Sequence, residues 1–192
     1  MSDARQLIDL IAARRSVKAD MLVEPAPSDD QLADLLQAAM SAPDHGAIRP
    51  WRFKVIRGEA RHKLSDLFED AQRKRDPAVA DDVVNAMRGK PLRSPLIVAA
   101  VAEVMENHPK VPVEEQVVAA ACATQNLLLA AHAAGWGAIL LTGWPAFDAT
   151  VKQGLGLAAK DSIIGFVYMG TPTEAPREMK RPDARNYIED WQ

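Results

Sequence analysis

The chain is short of cysteine, short of aromatic residues, and carries no marked excess of either charge: one Cys, 5% Phe, Trp and Tyr, and a formal net charge of −3 over 192 residues. Each scarcity excludes something. The lone thiol, Cys122, cannot close an intrachain disulfide, and no cysteine–histidine set has the spacing of a structural zinc site. His45, His62, His108 and His132 are scattered, so no metal is expected. The near-balanced charge gives no global case for nucleic acid or an anionic membrane surface; an anion site must be local. Long uninterrupted apolar runs are also missing. The most apolar stretch, residues 117–141, is broken by Thr124, Gln125, Asn126, His132 and two glycines, which reads as a buried helix followed by a strand rather than a membrane span. The polar start, from Met1 to Arg5, argues against a signal peptide. A cytoplasmic protein with no membrane or nucleic-acid partner is the expectation.

What is present is ordinary globular composition, 48% hydrophobic and 26% charged, in a length that suits one domain over residues 1–192. Ala4, Leu7, Ile8 and Ile11 recur at helical spacing between Asp3 and Arg15. Ser28 followed by Gln31 is a capping box, and Leu32, Leu35, Leu36 and Ala39 give a second apolar stripe that Pro43 stops. An irregular loop over 42–50 leads into a strand at 51–57. Leu64, Leu67, Phe68 and Ala71 mark a third helix. A charged, surface-exposed stretch at 73–76 precedes a shorter helix to about Met87. The run after Pro95, residues 96–101, is a buried strand. The longest helix spans 113–134, apolar on more than one face and therefore central, with Gly135 as its C′ residue. A strand at 138–142, a short helix at 147–155 and a last buried strand at 163–169 follow. This is an α+β chain with about four strands. Cys122 reads as a core residue of the long helix.

After Gly170 the chain turns polar and proline-rich, yet it carries Tyr187 and Trp191, two of only six Tyr and Trp residues. Such rings gain nothing in solvent. Residues 172–192 are therefore expected to form an arm packed on a second subunit.

Three segments match a family pattern in order and spacing. Arg14-Arg15-Ser16 follows the first amphipathic helix. Ala42-Pro43-Asp44-His45 and Pro50-Trp51-Arg52-Phe53 follow the second. Gly135-Trp136-Gly137 follows the long helix, and Gly170-Thr171-Pro172 lies beyond. Together they resemble the FMN-dependent nitroreductase family, in its compact YdjA-like branch, over nearly the whole chain. The resemblance implies a three-layer α+β fold with a mainly antiparallel central sheet, helices on both sides, and the long helix at a dimer interface. It implies two flavin sites shared by a homodimer. It also implies a ping-pong cycle in which NADH or NADPH reduces FMN and a nitroaromatic, quinone or similar small molecule takes the electrons.

Site residues follow from the same likeness. Arg14, Arg15 and Ser16 are implied for the FMN phosphate, and arginine forks and a hydroxyl suit that anion. Taken alone, arginines closing a helix equally well serve its negative end. Ser41 and His45 are implied to reach the flavin from the other subunit, where His45 donates to the flavin or supplies a proton. A loop histidine beside an aspartate is otherwise structural. Leu140, Leu141, Thr142 and Gly143 are implied at the ring, with Gly143 permitting close approach. Residues 130–135 either border the nicotinamide nucleotide or only allow tight helix packing. Lys180, Arg181 and Arg185 would add positive charge near the phosphate if the tail folds back. The commoner family pattern has Asn and Gln where His45 and Arg49 stand, and the branch has more polar or aromatic residues where Leu140 and Leu141 stand. Pro50 and Trp51 read as structural. No catalytic side chain is required, because the flavin carries the hydride chemistry. Two alternatives remain: a flavin-storage or regulatory protein without turnover, and a flavin enzyme of other chemistry, such as flavin cleavage or dehalogenation.

Overall fold

The computed structural model describes residues 3–176 and 179–192. Its elements are α1 (Asp3–Ala13), β1 (Leu22–Val23), α2 (Asp29–Ala39), β2 (Trp51–Arg57), α3 (Glu59–Arg75), α4 (Asp81–Gly89), β3 (Leu96–Ala102), α5 (Val113–Ala133), β4 (Gly137–Leu141), α6 (Ala149–Gly154) and β5 (Ser162–Pro172). The strands form one antiparallel sheet in the order β1-β5-β3-β2, and β4 also pairs with β5.

The sheet separates two cores. Every residue of β3 is buried, so its side chains alternate between two apolar layers. Leu96 and Val98 join α2 and α5 on one face, with Leu127 and Val167. Ile97, Ala99 and Val101 join α3, α4 and α6 on the other, with Phe68, Met87 and Val151. Phe68 meets Phe166 edge-on at 5.6 Å between ring centres. This is the three-layer α+β arrangement that the resemblance implied. The α2 start follows its sequence: Ser28 Oγ accepts from the Gln31 N–H, and the Gln31 side chain accepts from the Ser28 N–H.

Several boundaries differ from the sequence reading. The first helix ends at Ala13, which leaves Arg14 and Arg15 outside it. A fifth strand exists, the two-residue β1, too short for any periodicity to betray. The short helix expected at 147–155 is divided into a 3-10 turn at Trp144–Phe147 and α6. Asp148 makes that division, because its carboxylate caps α6 by accepting from the N–H groups of Thr150 and Val151. The charged stretch at 73–75 is the last turn of α3. Cys122 is half-buried and packs against the core shared by α2 and α5.

Candidate functional site

Beyond α1 the chain passes β4, and the Val17 N–H donates to the Ala138 carbonyl at 3.1 Å. This bond docks Arg14, Arg15 and Ser16 against the start of β4. Arg15 donates to the carbonyls of Ala12 at 2.7 Å and Arg14 at 2.8 Å, so it does close the end of α1. The tail folds back here. The Met179 carbonyl accepts from Arg15 at 3.3 Å, and Arg181 donates to the Arg14 carbonyl at 2.6 Å. Arg185 lies apart, paired with Asp183 at 2.6 Å.

Three guanidinium groups thus converge, and among the described residues no carboxylate is paired with any of them. The crowding is felt. Burial, then Arg181, then Arg15 push the Arg14 pKa down, and burial, then Arg14 and Arg15 push His132 below the usual histidine value. Guanidiniums this close, with no counter-ion among the described residues, make a site for an anion with several oxygens.

At its other end β4 meets a cavity of about 440 Å³ walled by Leu140, Leu141, Thr142 and Gly143. Phe68, Phe166 and Tyr168 give it an aromatic floor, and Lys90 and Arg93 line it too. Burial, then Arg93, push the Lys90 pKa down. The Arg93 guanidinium stands 5.4 Å from the centre of the Tyr168 ring. Thr142 lies four residue steps beyond Ala138, which is about 13 Å of extended chain. A second cavity of about 370 Å³, beside Phe147 and Lys152, holds none of the sequence-predicted residues.

Sequence reasoning missed three contributors. Lys90 and Arg93 precede the buried strand as Lys90-Pro91-Leu92-Arg93, and nothing local distinguishes them from surface cations. Gly165 lies at the β3–β5 register shift. A Cβ there would stand 2.6 Å from Leu140 Cδ1 and 3.0 Å from the Leu141 carbonyl oxygen. The glycine is what lets β4 and residue 142 lie so close to β5.

Ser41 and His45 are elsewhere. The Ser41 hydroxyl donates to the Ala38 carbonyl at 2.8 Å, and Asn126 of α5 approaches its oxygen at 3.4 Å. His45 is exposed and bonded to Glu115 of α5 at 2.7 Å. No hydrogen bond connects either residue with Arg14, Arg15 or Ser16, and neither lines the cavity at Leu140. Trp51 is structural: it is buried, and its indole N–H points at Met40 Sδ, 3.1 Å away.

Residues 11–171 match the family model described as "Nitroreductase family". The chain is 38% identical over 186 residues to "Putative NAD(P)H nitroreductase YdjA" of Escherichia coli (strain K12), an alignment covering 94% of this chain and 97% of that one. Among solved structures, a nitroreductase-like family protein from Bacillus cereus superposes with a TM-score of 0.79 at 25% identity, over 99% and 98% of the two chains. The NADPH:FMN oxidoreductase of Vibrio harveyi, complexed with NAD+, gives 0.74 at 18% identity over 97% of this chain and 77% of that one, a likeness of fold.

Proposed function

The chain belongs to the nitroreductase family and is an oxidoreductase, and from that premise we propose that it uses FMN to pass electrons from NADH or NADPH to a nitroaromatic, quinone or similar acceptor in a ping-pong cycle. One observation carries the reading: β4 has at its start an arginine cluster that pairs with no carboxylate among the described residues, and at its end an apolar cavity edged by cations.

FMN has the same polarity along its length, with an anionic phosphate, a polar ribityl chain and a broad planar ring. The residues fit each part. Arg14, Arg15 and Ser16, joined by Arg181, hold the phosphate. Leu140, Leu141, Thr142 and Gly143 border the ring, and Lys90 offers positive charge to its electron-rich edge. When bound, FMN supplies the hydride chemistry, and this chain then needs no nucleophile of its own. The chain's part is to fix the anion, to shape a slot that excludes water, and to leave one side open for donor and acceptor in turn. Residues 130–135 adjoin the arginine cluster through His132 and offer a small-residue surface for the nicotinamide nucleotide.

A homodimer completes the reading. α1 buries none of its residues, and Leu7, Ile8 and Ile11 stand 60%, 57% and 44% exposed. An eleven-residue helix without a tertiary partner is marginal in water, so its apolar face calls for a cover. Val118 on α5, and Tyr187, Ile188 and Trp191 in the arm, are exposed as well. A second copy covers these surfaces and carries Ser41 and His45 to a flavin that their own chain does not place beside them. Among the described residues no helix is long and apolar enough to cross a membrane. A cytoplasmic location accords with the single unpaired thiol.

The deciding experiment is the absorption spectrum of the purified protein, with the released chromophore identified. Adding NADH or NADPH should bleach it, a nitroaromatic or quinone should restore it, and initial-rate plots should be parallel. A colourless protein that takes up no added FMN removes the proposal. Bleaching without fast reoxidation leaves a storage protein instead. Sedimentation should give the mass of two chains.

A further inference from the structure

The loop that presents His45 is held in a costly conformation. Ala47 and Arg49 have φ of 53° and 54°, and Gly46 lies between them and His45 at 72°. Residues with side chains adopt this left-handed region only at a steric cost and do so where their surroundings over-determine them. The side chains of Asp44 and His45 tie the loop down. Asp44 accepts from the Arg49 N–H at 2.7 Å, and His45 Nδ1 lies 2.7 Å from Glu115 Oε2. A carboxylate has no proton to give at neutral pH, so the ring nitrogen must be the donor.

We propose that Glu115 is a positioning residue for His45: it fixes the proton on Nδ1, locks the ring's orientation, and leaves Nε2 as the one nitrogen free to meet the flavin site of the second subunit. The inference rests on the proposed function, in which His45 serves that site. A wider pattern on α5 supports it. Asn126, which approaches Ser41, is eleven residues from Glu115, about three turns along the same face. One rigid helix thus touches both residues assigned to the neighbouring flavin. With Nδ1–H committed to Glu115, a neutral His45 presents a lone pair at Nε2, and only the protonated ring presents an N–H there. The simpler role for Glu115 is to complement the positive end of α5. Glu114, in the same first turn, does that equally and has no bond to His45.

The test combines side-chain 15N NMR of labelled histidines with FMN titration of the apoprotein. The His45 signal is identified by its loss in His45→Gln. The wild-type protein should show His45 protonated at Nδ1, with or without FMN. Glu115→Ala should lose that signature, and Glu115→Gln, whose amide oxygen can accept the bond, should keep it. Glu115→Ala should weaken FMN by about five- to ten-fold, the worth of one oriented hydrogen bond. His45→Ala should do the same, and the double variant should be no worse than either. Glu114→Ala should leave tautomer and affinity unchanged. An unaltered His45 tautomer in Glu115→Ala overturns the proposal, as does wild-type affinity in Glu115→Ala when His45→Ala is weakened. Wild-type affinity in His45→Ala overturns it through its premise, and the tautomer shift then tells that failure from failure of the Glu115 bond.

Discussion

Replacing Arg14 by Gln should move stability and flavin affinity in opposite directions. In the chain without ligand, Arg14 stands beside Arg15 and Arg181, no described carboxylate is paired with it, and its pKa is pushed down by burial and by those two neighbours. Removing its charge relieves repulsion. The group is only half-buried, so screening limits the gain to less than about 1 kcal/mol. That is a rise in Tm of at most about 2–4 °C for a chain of this size. FMN reverses the sign. Loss of one charge-assisted bond to phosphate costs about 1.5–3 kcal/mol, roughly ten- to a hundred-fold in Kd. Inorganic phosphate should raise the Tm of wild-type apoprotein by mass action and do so less in the variant. Thermal unfolding of the apoprotein and fluorescence titration with FMN read the two effects separately. A variant whose apoprotein melts several degrees lower while its FMN affinity is unchanged would refute the reasoning, because the cluster would then be structural.

Three further outcomes are expected. Gly165→Ala should weaken FMN and cost about 1–3 kcal/mol of stability by driving Leu140 and Thr142 out of place; an unchanged Tm and Kd would show that β4 yields without consequence. His132, held below its ordinary value of 6.5, favours its neutral form on folding. The stability it contributes is fully present above about pH 6.5 and is lost as pH falls through its folded value. His132→Gln should flatten that part of the pH–stability curve, and FMN should raise the His132 pKa in an NMR titration by neutralising the arginines. Finally, mixing Arg14→Ala with His45→Ala protomers should restore some intact sites, measured as tight FMN binding absent from either parent. No recovery after verified subunit exchange would mean that each site takes both residues from one chain.

Much of this protein could be read from its amino acids because local physics decides it. The continuous apolar run at 96–101, the Ser28–Gln31 capping box and the helical stripes are properties of short segments, and they emerge in the structure nearly as written. The order of Arg14-Arg15-Ser16, His45 and Gly135-Trp136-Gly137 likewise named the family, since order survives any folding. Distance does not. Arg181 is 167 residues from Arg14 in the chain, and nothing in the tail's composition tells a cation that returns to the cluster from Arg185, which stays with Asp183. Lys90 and Arg93 look like surface charges until the sheet folds the end of β4 above them. Gly165 is unremarkable until β4 packs where its Cβ would stand. Glu115 reads as a helix-dipole charge until the loop at 44–49 closes on it. Periodicity and capping act between near neighbours along the chain, whereas a site is a set of approaches between segments, and only the packed sheet and helices set those.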